Sequence, residues 1–267
     1  MRHLSYLIIL VFTIAFSIFT FGCSKNDDKT NSKTVAVLKL GSHEIIDMVE
    51  MSIKDELKLK YKDKIKIRTY NANFDDTLLE QSATQIASRK FDVVVPITTP
   101  ASIALANKLK ANQKMIFSFV SLPESIWGES EQKPNNITGT SDQLDYDKNL
   151  LLITKMFPKA KNIAYLVNAS EENARDGLKQ VKNFAKQYNL NILEVSVNDP
   201  SDVANAARTI VSRSDVFLVG GDNTVVSALG SLLNVAIKHR KPVFAVENTS
   251  VKEGCLAAYG VDYNELG

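Results

Sequence analysis

From residue 34 onward the chain alternates two kinds of hydrophobic spacing. Short runs of consecutive apolar and β-branched residues recur: "TVAVLKL" at 34–40, "IKIRTY" at 65–70, "DVVVPI" at 92–97 and "MIFSFV" at 115–120. Runs this short and this β-rich predict strands. Between them lie stretches with apolar residues three and four apart, at about 44–61, at 75–89 ("DDTLLEQSATQIASR") and at 100–110 ("PASIALANKLK"). In the second of these, Leu78, Leu79, Ala83 and Ile86 share one helical face. Asp75 and Asp76 stand at its start, where the helix dipole favours acids. The order βαβαβαβ predicts a parallel sheet covered by helices on both faces.

Prolines, glycines and polar residues interrupt the pattern at 121–142, and then it resumes. Helices are expected at about 144–156, 171–188, 202–212 and 224–239. Strands are expected at 162–167 ("NIAYLV"), 191–197 ("NILEVSV"), 215–220 ("DVFLVG") and 242–247 ("PVFAVE"). The two halves also correspond in wording. "FDVVVPITTPASIAL" at 91–105 and "SDVFLVGGDNTVVSAL" at 214–229 both run from an Asp through a buried strand and a polar tip into an apolar helix. The fold class expected is α/β, with two tandem Rossmann-like lobes built on parallel sheets. The first lobe spans 34–141 and the second 142–255, and 256–267 forms a return strand toward the first.

The N-terminus does not belong to this pattern. Leu4 to Phe21 carries no charge and is almost wholly apolar, and the run ends in "TFGCSKNDDKTNSK". It is just long enough for a transmembrane anchor. An Arg, an apolar stretch, a small residue and a Cys better describe a lipoprotein signal, with 1–22 removed, Cys23 lipidated and 23–33 a polar tether. Thr20 stands where such signals usually carry Leu. Either reading places the body outside the cytoplasmic membrane, and the lipoprotein reading adds an acyl chain such as palmitate.

Composition narrows the function classes. Lys and Arg total 32 against 30 Asp and Glu, which gives no electrostatic footprint for nucleic acid. Cys255, the second of 2 cysteines, lies in an apolar run and reads as a small core residue. No GxGxxG follows a strand, and there is no GxxxxGK[ST] or GxSxG. The body's two histidines, His43 and His239, lie far apart, and no metal-ligand spacing is present. Neither a catalytic group, a metal nor a cofactor is expected.

In parallel α/β sheets ligands bind beyond the carboxyl ends of the strands. The tips there carry Ser42, His43, Asn71, Thr98, Thr99 and Ser121 in the first half. The second half offers Asn168, Ser170, Asn198, Asp199, Gly221, Asp222, Asn223, Thr224, Glu247 and Asn248. The set is rich in hydroxyls and amides, holds acids and contains no Lys or Arg. An anion would have to sit on helix N-terminal amides, and "TTPAS" suits this with Thr99 as N-cap and Pro100 at the first helical position. A ligand ammonium would go to Asp222 or Glu247. A free amino acid has both groups. Against this stands the plainer reading that Thr99, Ser170 and Asp222 only cap their helices. Glu171 and Glu172 would repel an anion from the second lobe, so the carboxylate is assigned to the first.

With these residues assembled, "FGC", "AVLKLGSHE", "TTPAS", "FSFVSLPE", "NNITGTSD", "DNTVVSAL" and "PVFAVENTSVKEGCLAAYGVDYNELG" resemble the ABC-transporter substrate-binding lipoproteins of the tryptophan/tyrosine-binding type. The resemblance runs from about Val35 to the end. It implies a type I periplasmic-binding fold that closes on a small solute and performs no catalysis. It places Ser42, Thr99, Ser121, Asn168, Asp222, Asn223 and Glu247 at the cleft, where Thr98 and Thr224 join them as strand-tip residues. Gly220-Gly221 departs from the family's usual Pro-Thr or Pro-Ser. The family continues into a helix packed on the first lobe, so a chain ending at Gly267 is expected to be C-terminally truncated, with an apolar sheet face left open. The function expected is capture of an amphipathic solute, an amino acid and in particular an aromatic one, for a membrane permease and its ATPase. A sensory lipoprotein, a sugar or nucleoside binder and an extracellular enzyme remain the alternatives.

Overall fold

The computed structural model describes residues 32–128, 133–261 and 263. The apolar leader, Cys23 and the tether up to residue 31 lie outside the described residues. The body holds two five-stranded sheets in which every pairing is parallel.

The first sheet has the order β2-β1-β3-β4-β5. Its strands are β1 (Lys33–Lys39), β2 (Ile65–Asn71), β3 (Val93–Ile97), β4 (Met115–Val120) and β5 (Ile137–Ser141). Helices α1 (Glu44–Tyr61), α2 (Asp76–Ser88) and α3 (Thr99–Ala106) connect the first four. Side chains alternate across a strand, so β1 serves two cores. Ala36 and Leu38 pack with Leu79, Ala83 and Ile86 of α2 and with Ala101 and Leu105 of α3. Val35 and Val37 face the other way, onto Ile45, Ile46 and Val49 of α1.

The second sheet has the order β10-β9-β8-β6-β7. Its strands are β6 (Asn162–Val167), β7 (Asn191–Ser196), β8 (Val216–Val219), β9 (Val243–Glu247) and β10 (Ala257–Val261). One face packs on α4 (Tyr146–Met156) and α5 (Glu172–Ala185) through Tyr146, Leu150, Ile153, Ala174 and Val181. The other packs on α6 (Val203–Ile210) and α8 (Leu229–Lys238). The single helix expected at about 224–239 is broken at Ala228 (φ −114°, ψ 23°) into α7 (Asn223–Ser227) and α8. A short α9 (Thr249–Glu253) follows β9.

Two assignments change. The interrupted segment 121–142 contains β5, a strand of five residues, "ITGTS", whose Gly and hydroxyls carry no apolar signal. Sequence pattern placed 256–267 as a return strand toward the first lobe. The strand at Ala257–Val261 instead pairs with β9 and completes the second sheet. The return contact comes at Tyr263, whose ring meets Phe119 of β4 edge-on with centroids 5.0 Å apart.

The first sheet carries an apolar groove on one face. A groove of about 570 Å³ runs between α1 and the sheet, floored by Val35, Val93 and Val95 and flanked by Ile53, Leu57 and Ile116. It lies on the sheet face, away from the strand tips. Among the described residues no helix is long and apolar enough to cross a membrane. Cys255 is buried, and burial pushes its thiol up to about 12, as expected of a core cysteine rather than a reactive one.

Candidate ligand-binding cleft

The carboxyl ends of both sheets face each other. Between them Thr99, Phe119 and Ser121 of the first lobe meet Asn173, Gly221, Asn223 and Glu247 of the second, with Asp142 of the crossover completing the wall. The space they enclose is about 10 Å³, room for one water at most, so the lobes are shut. A wider mouth of about 260 Å³ lies outside it, lined by Leu40, Phe74, Pro100, Asn168, Ser170, Glu171 and Thr224 among others.

Of the strand-tip residues singled out in the sequence, Thr99, Ser121, Asn223 and Glu247 come together on the inner cavity, and Asn168 and Thr224 line the mouth. Ser42 does neither. It is exposed and accepts a hydrogen bond from Asn71 Nδ2 at 3.1 Å. Beside it His43 stacks on Phe74, with centroids 6.3 Å apart and planes 13° apart. Burial lowers the His43 imidazole to about 4, so it is neutral at physiological pH.

The capping of α3 is shifted by one residue from the expectation. Thr98, not Thr99, is the N-cap: its side chain accepts from Ala101 N, and its φ is 91°. Thr98 N still donates to Ser118 O of β4 at 3.1 Å, so the residue that caps α3 is also tied to the sheet. A non-glycine residue in that region is strained by on the order of 1–3 kcal/mol, a type of strain that clusters at functional sites. Thr99 is thereby released to face the cavity at the first turn of the helix.

Asp222 proves to be a scaffold residue. Its Oδ1 accepts from Val225 N at 3.0 Å, capping α7, and its Oδ2 accepts from Asn168 N at 2.6 Å, tying β6 to β8. Both oxygens are occupied, and Asp222 is not among the residues lining either cavity. Its capping of α7 is the feature the plainer of the two sequence readings names. Asn168 and Thr224 belong to the same scaffold, joined by Asn168 Nδ2 to Thr224 Oγ1 at 2.8 Å.

Glu171 does more than repel anions from the second lobe. Its Oε1 accepts from Thr224 N and Oγ1, and its Oε2 from Asn223 N and Nδ2, at 2.6–3.2 Å. The protein's own carboxylate occupies the N-terminus of α7, where a ligand carboxylate would otherwise be favoured.

Three wall residues escaped the sequence reading: Phe119, Asp142 and Asn173. Asp142 lay in the interrupted stretch, and Asn173 sits inside a helix's first turn rather than at a tip. Asn173 Nδ2 donates to Gly221 O at 2.7 Å, while its Oδ1 has no partner. Glu247 is 3% exposed and its Oε2 is also unpartnered. Burial, reinforced by Asp142, Glu253 and Asp222, pushes the Glu247 carboxyl well above the usual range. Asp142 accepts from Ser121 Oγ at 3.1 Å and from the Tyr263 hydroxyl at 3.2 Å. Burial outweighs both bonds and raises it to about 7.

Two shut lobes with polar residues at facing strand ends form the candidate site. A family model described as ABC transporter substrate binding protein matches residues 34–267. The chain belongs to this family. It is thus a substrate-binding component of an ABC transporter, and its fold is of the periplasmic-binding type. Over 261 residues it is 32% identical to a tyrosine-binding protein of Clostridioides difficile (strain R20291), covering 92% of this chain and 76% of that one. Its structure is similar to a Streptococcus pneumonia ABC domain in complex with L-Trp, with a TM-score of 0.80, 26% identity and coverage of 88% of this chain and 80% of that one. It is also similar to a ligand-free, open substrate binding protein with adhesive properties from Clostridium difficile. There the TM-score is 0.58 at 28% identity, with 87% of this chain and 80% of that one covered.

Proposed function

We propose that this substrate-binding protein captures a free α-amino acid, with tyrosine and tryptophan the first candidates, and presents it to a membrane permease driven by an ATPase. The observation that carries the reading is the polarity of the inner cavity. Its unpartnered atoms, Glu247 Oε2 and Asn173 Oδ1, are acceptors held out of water, and no Lys or Arg lines the wall. Unpaired buried polar atoms are costly, and a ligand ammonium supplies donors together with a charge that favours the ionised form of Glu247, which burial alone disfavours. The opposite wall offers the hydroxyl of Thr99 at the first turn of α3, where the helix dipole favours a carboxylate. The two ends of a zwitterion thus meet different lobes, which makes the ligand a bridge that favours closure. The names of the relatives that bind tyrosine and L-Trp support the same solute class.

The body acts on the outer side of the cytoplasmic membrane in this reading, held there by lipid on Cys23. Thermal unfolding against amino acids, sugars and nucleosides tests the solute class, because a ligand bound only by the folded state raises Tm. Tyrosine or tryptophan is expected to raise it, and a shift with sugars or nucleosides alone contradicts the proposal.

A further inference from the structure

We infer that Asp142 is a charge gate on lobe closure, letting the lobes shut at neutral pH only when a cationic group of the solute enters beside it. The inference builds on the amino-acid reading above and adds a device that selects for the ammonium. Asp142 begins the crossover from the first lobe to the second and is 1% exposed. Its hydrogen bonds reach Ser121, at the end of β4, and Tyr263, at the return crossover, so one carboxyl is fastened at both passages between the lobes. The Tyr263 ring is in turn wedged on Phe119.

What faces this carboxyl is uniformly acidic or neutral. Glu247 of β9 shares the cavity, and Asp142 acts on its carboxyl through space. Tyr146 of α4 and Tyr263 are the other titratable groups in reach, and Asp222 and Glu253 act on Glu247. Ser121, Thr99, Asn173 and Asn223 complete the wall without a charge. No cation counters the two carboxyls among the described residues. Because the wall is contributed by both lobes, parting them admits water to both acids, and shutting them strips it away. Shutting over two carboxylates is therefore opposed unless a proton or a ligand cation arrives. A solute with an ammonium removes the opposition, whereas a solute with a carboxylate alone adds to it.

The sign of the pH effect follows. In the parted form Asp142 is hydrated and titrates in the ordinary carboxylate range, while in the shut form it titrates at about 7. Shutting without ligand thus takes up a proton. It is opposed in full above pH 7 and becomes easier as pH falls below it, by about tenfold in the shut-to-open ratio per pH unit for Asp142 alone. Ligand-driven closure needs no proton.

The test uses the full chain with spin labels on Gln85→Cys of α2 and Lys179→Cys of α5 in a Cys23→Ser background. Interlobe distances are read by pulsed electron resonance between pH 8 and pH 5. The protein alone is expected to shift toward the short distance on acidification. Asp142→Asn, which is nearly isosteric, should show the short distance already at pH 8, with a flatter profile. Absence of a shift in the parent protein overturns the inference, and so does an unchanged profile in Asp142→Asn. A second arm at pH 8 compares L-tyrosine with its des-amino analogue, 3-(4-hydroxyphenyl)propionate. The parent should close with tyrosine only, and Asp142→Asn should lose at least tenfold of that discrimination. Equal discrimination in the variant counts against the gate. If tyrosine and tryptophan close neither protein, the amino-acid reading fails, while the gate is still decided by the ligand-free arm.

Discussion

At the scale of single residues, the Gly220-Gly221 pair has a packing cause. A Cβ on Gly220 would lie 1.9 Å from the hydroxyl of Tyr165, which is fully buried under β8. Gly221 donates its N–H to the Tyr146 hydroxyl at 3.2 Å. Two tyrosines on one face of the second sheet thus reach the strand tip; Gly220 leaves room for Tyr165, while a Cβ on Gly221 would meet Leu144 at 2.3 Å. Gly220→Ala should destabilise the fold by about 1–3 kcal/mol through overpacking, seen as a lower urea midpoint with an unchanged m-value. Unchanged stability would mean that Tyr165 moves aside freely. The residue scale is also where the sequence was least legible. Asp222 and Glu247 look alike as acids at neighbouring strand ends. One is turned into the scaffold with both oxygens bonded, and the other is turned into the cavity with one oxygen free. Side-chain direction makes that difference, and hydrophobic pattern records burial rather than direction.

At the scale of elements, the short α7 is organised from outside itself. Four hydrogen bonds from its first residues end on the Glu171 carboxylate, which belongs to the loop before α5. The arrangement fixes Asn223 on the cavity wall. Removing the carboxylate with Glu171→Ala leaves buried donors unpaired, and a loss of about 3 kcal/mol or more is expected. Glu171→Gln should recover part of it, because an amide oxygen still accepts on one side. Chemical denaturation of the two variants checks this, and equal stability of both to the parent would contradict it. Elements with strong apolar runs were readable in advance: eight of the strands sit on short apolar, β-rich runs. The strand β5 was not, since "ITGTS" has one apolar residue facing a core, and its pairing with β4 supplies what its own composition lacks. The break at Ala228 was equally hidden, because α7 and α8 are both apolar and a turn between them leaves the spacing almost intact.

At the scale of the whole molecule, the duplicated sentence in the sequence becomes two lobes whose strand ends oppose each other. The scaffold is repeated and the tips are not. Lobe one contributes hydroxyls at the start of α3, and lobe two contributes acceptors, with its own helix N-terminus already filled by Glu171. That asymmetry suits a ligand with unlike ends, and closure brings both walls to it at once. The fold and the facing tips were thus readable from the alternation and the repeat. The crossover carboxyl Asp142 was not, because it lies in a stretch without periodicity and acquires its neighbours only when the lobes meet. The central claim is that an amino-acid ammonium is held at Glu247 between these lobes. Isothermal titration of L-tyrosine into the full chain and into Glu247→Gln at pH 8 tests it most directly. Saturable binding at one site is expected in the parent, weakened by about 10–100-fold in the variant, as for loss of a charge-assisted hydrogen bond. Equal affinity in the two proteins, or binding of sugars or nucleosides where neither tyrosine nor tryptophan binds, would contradict the claim.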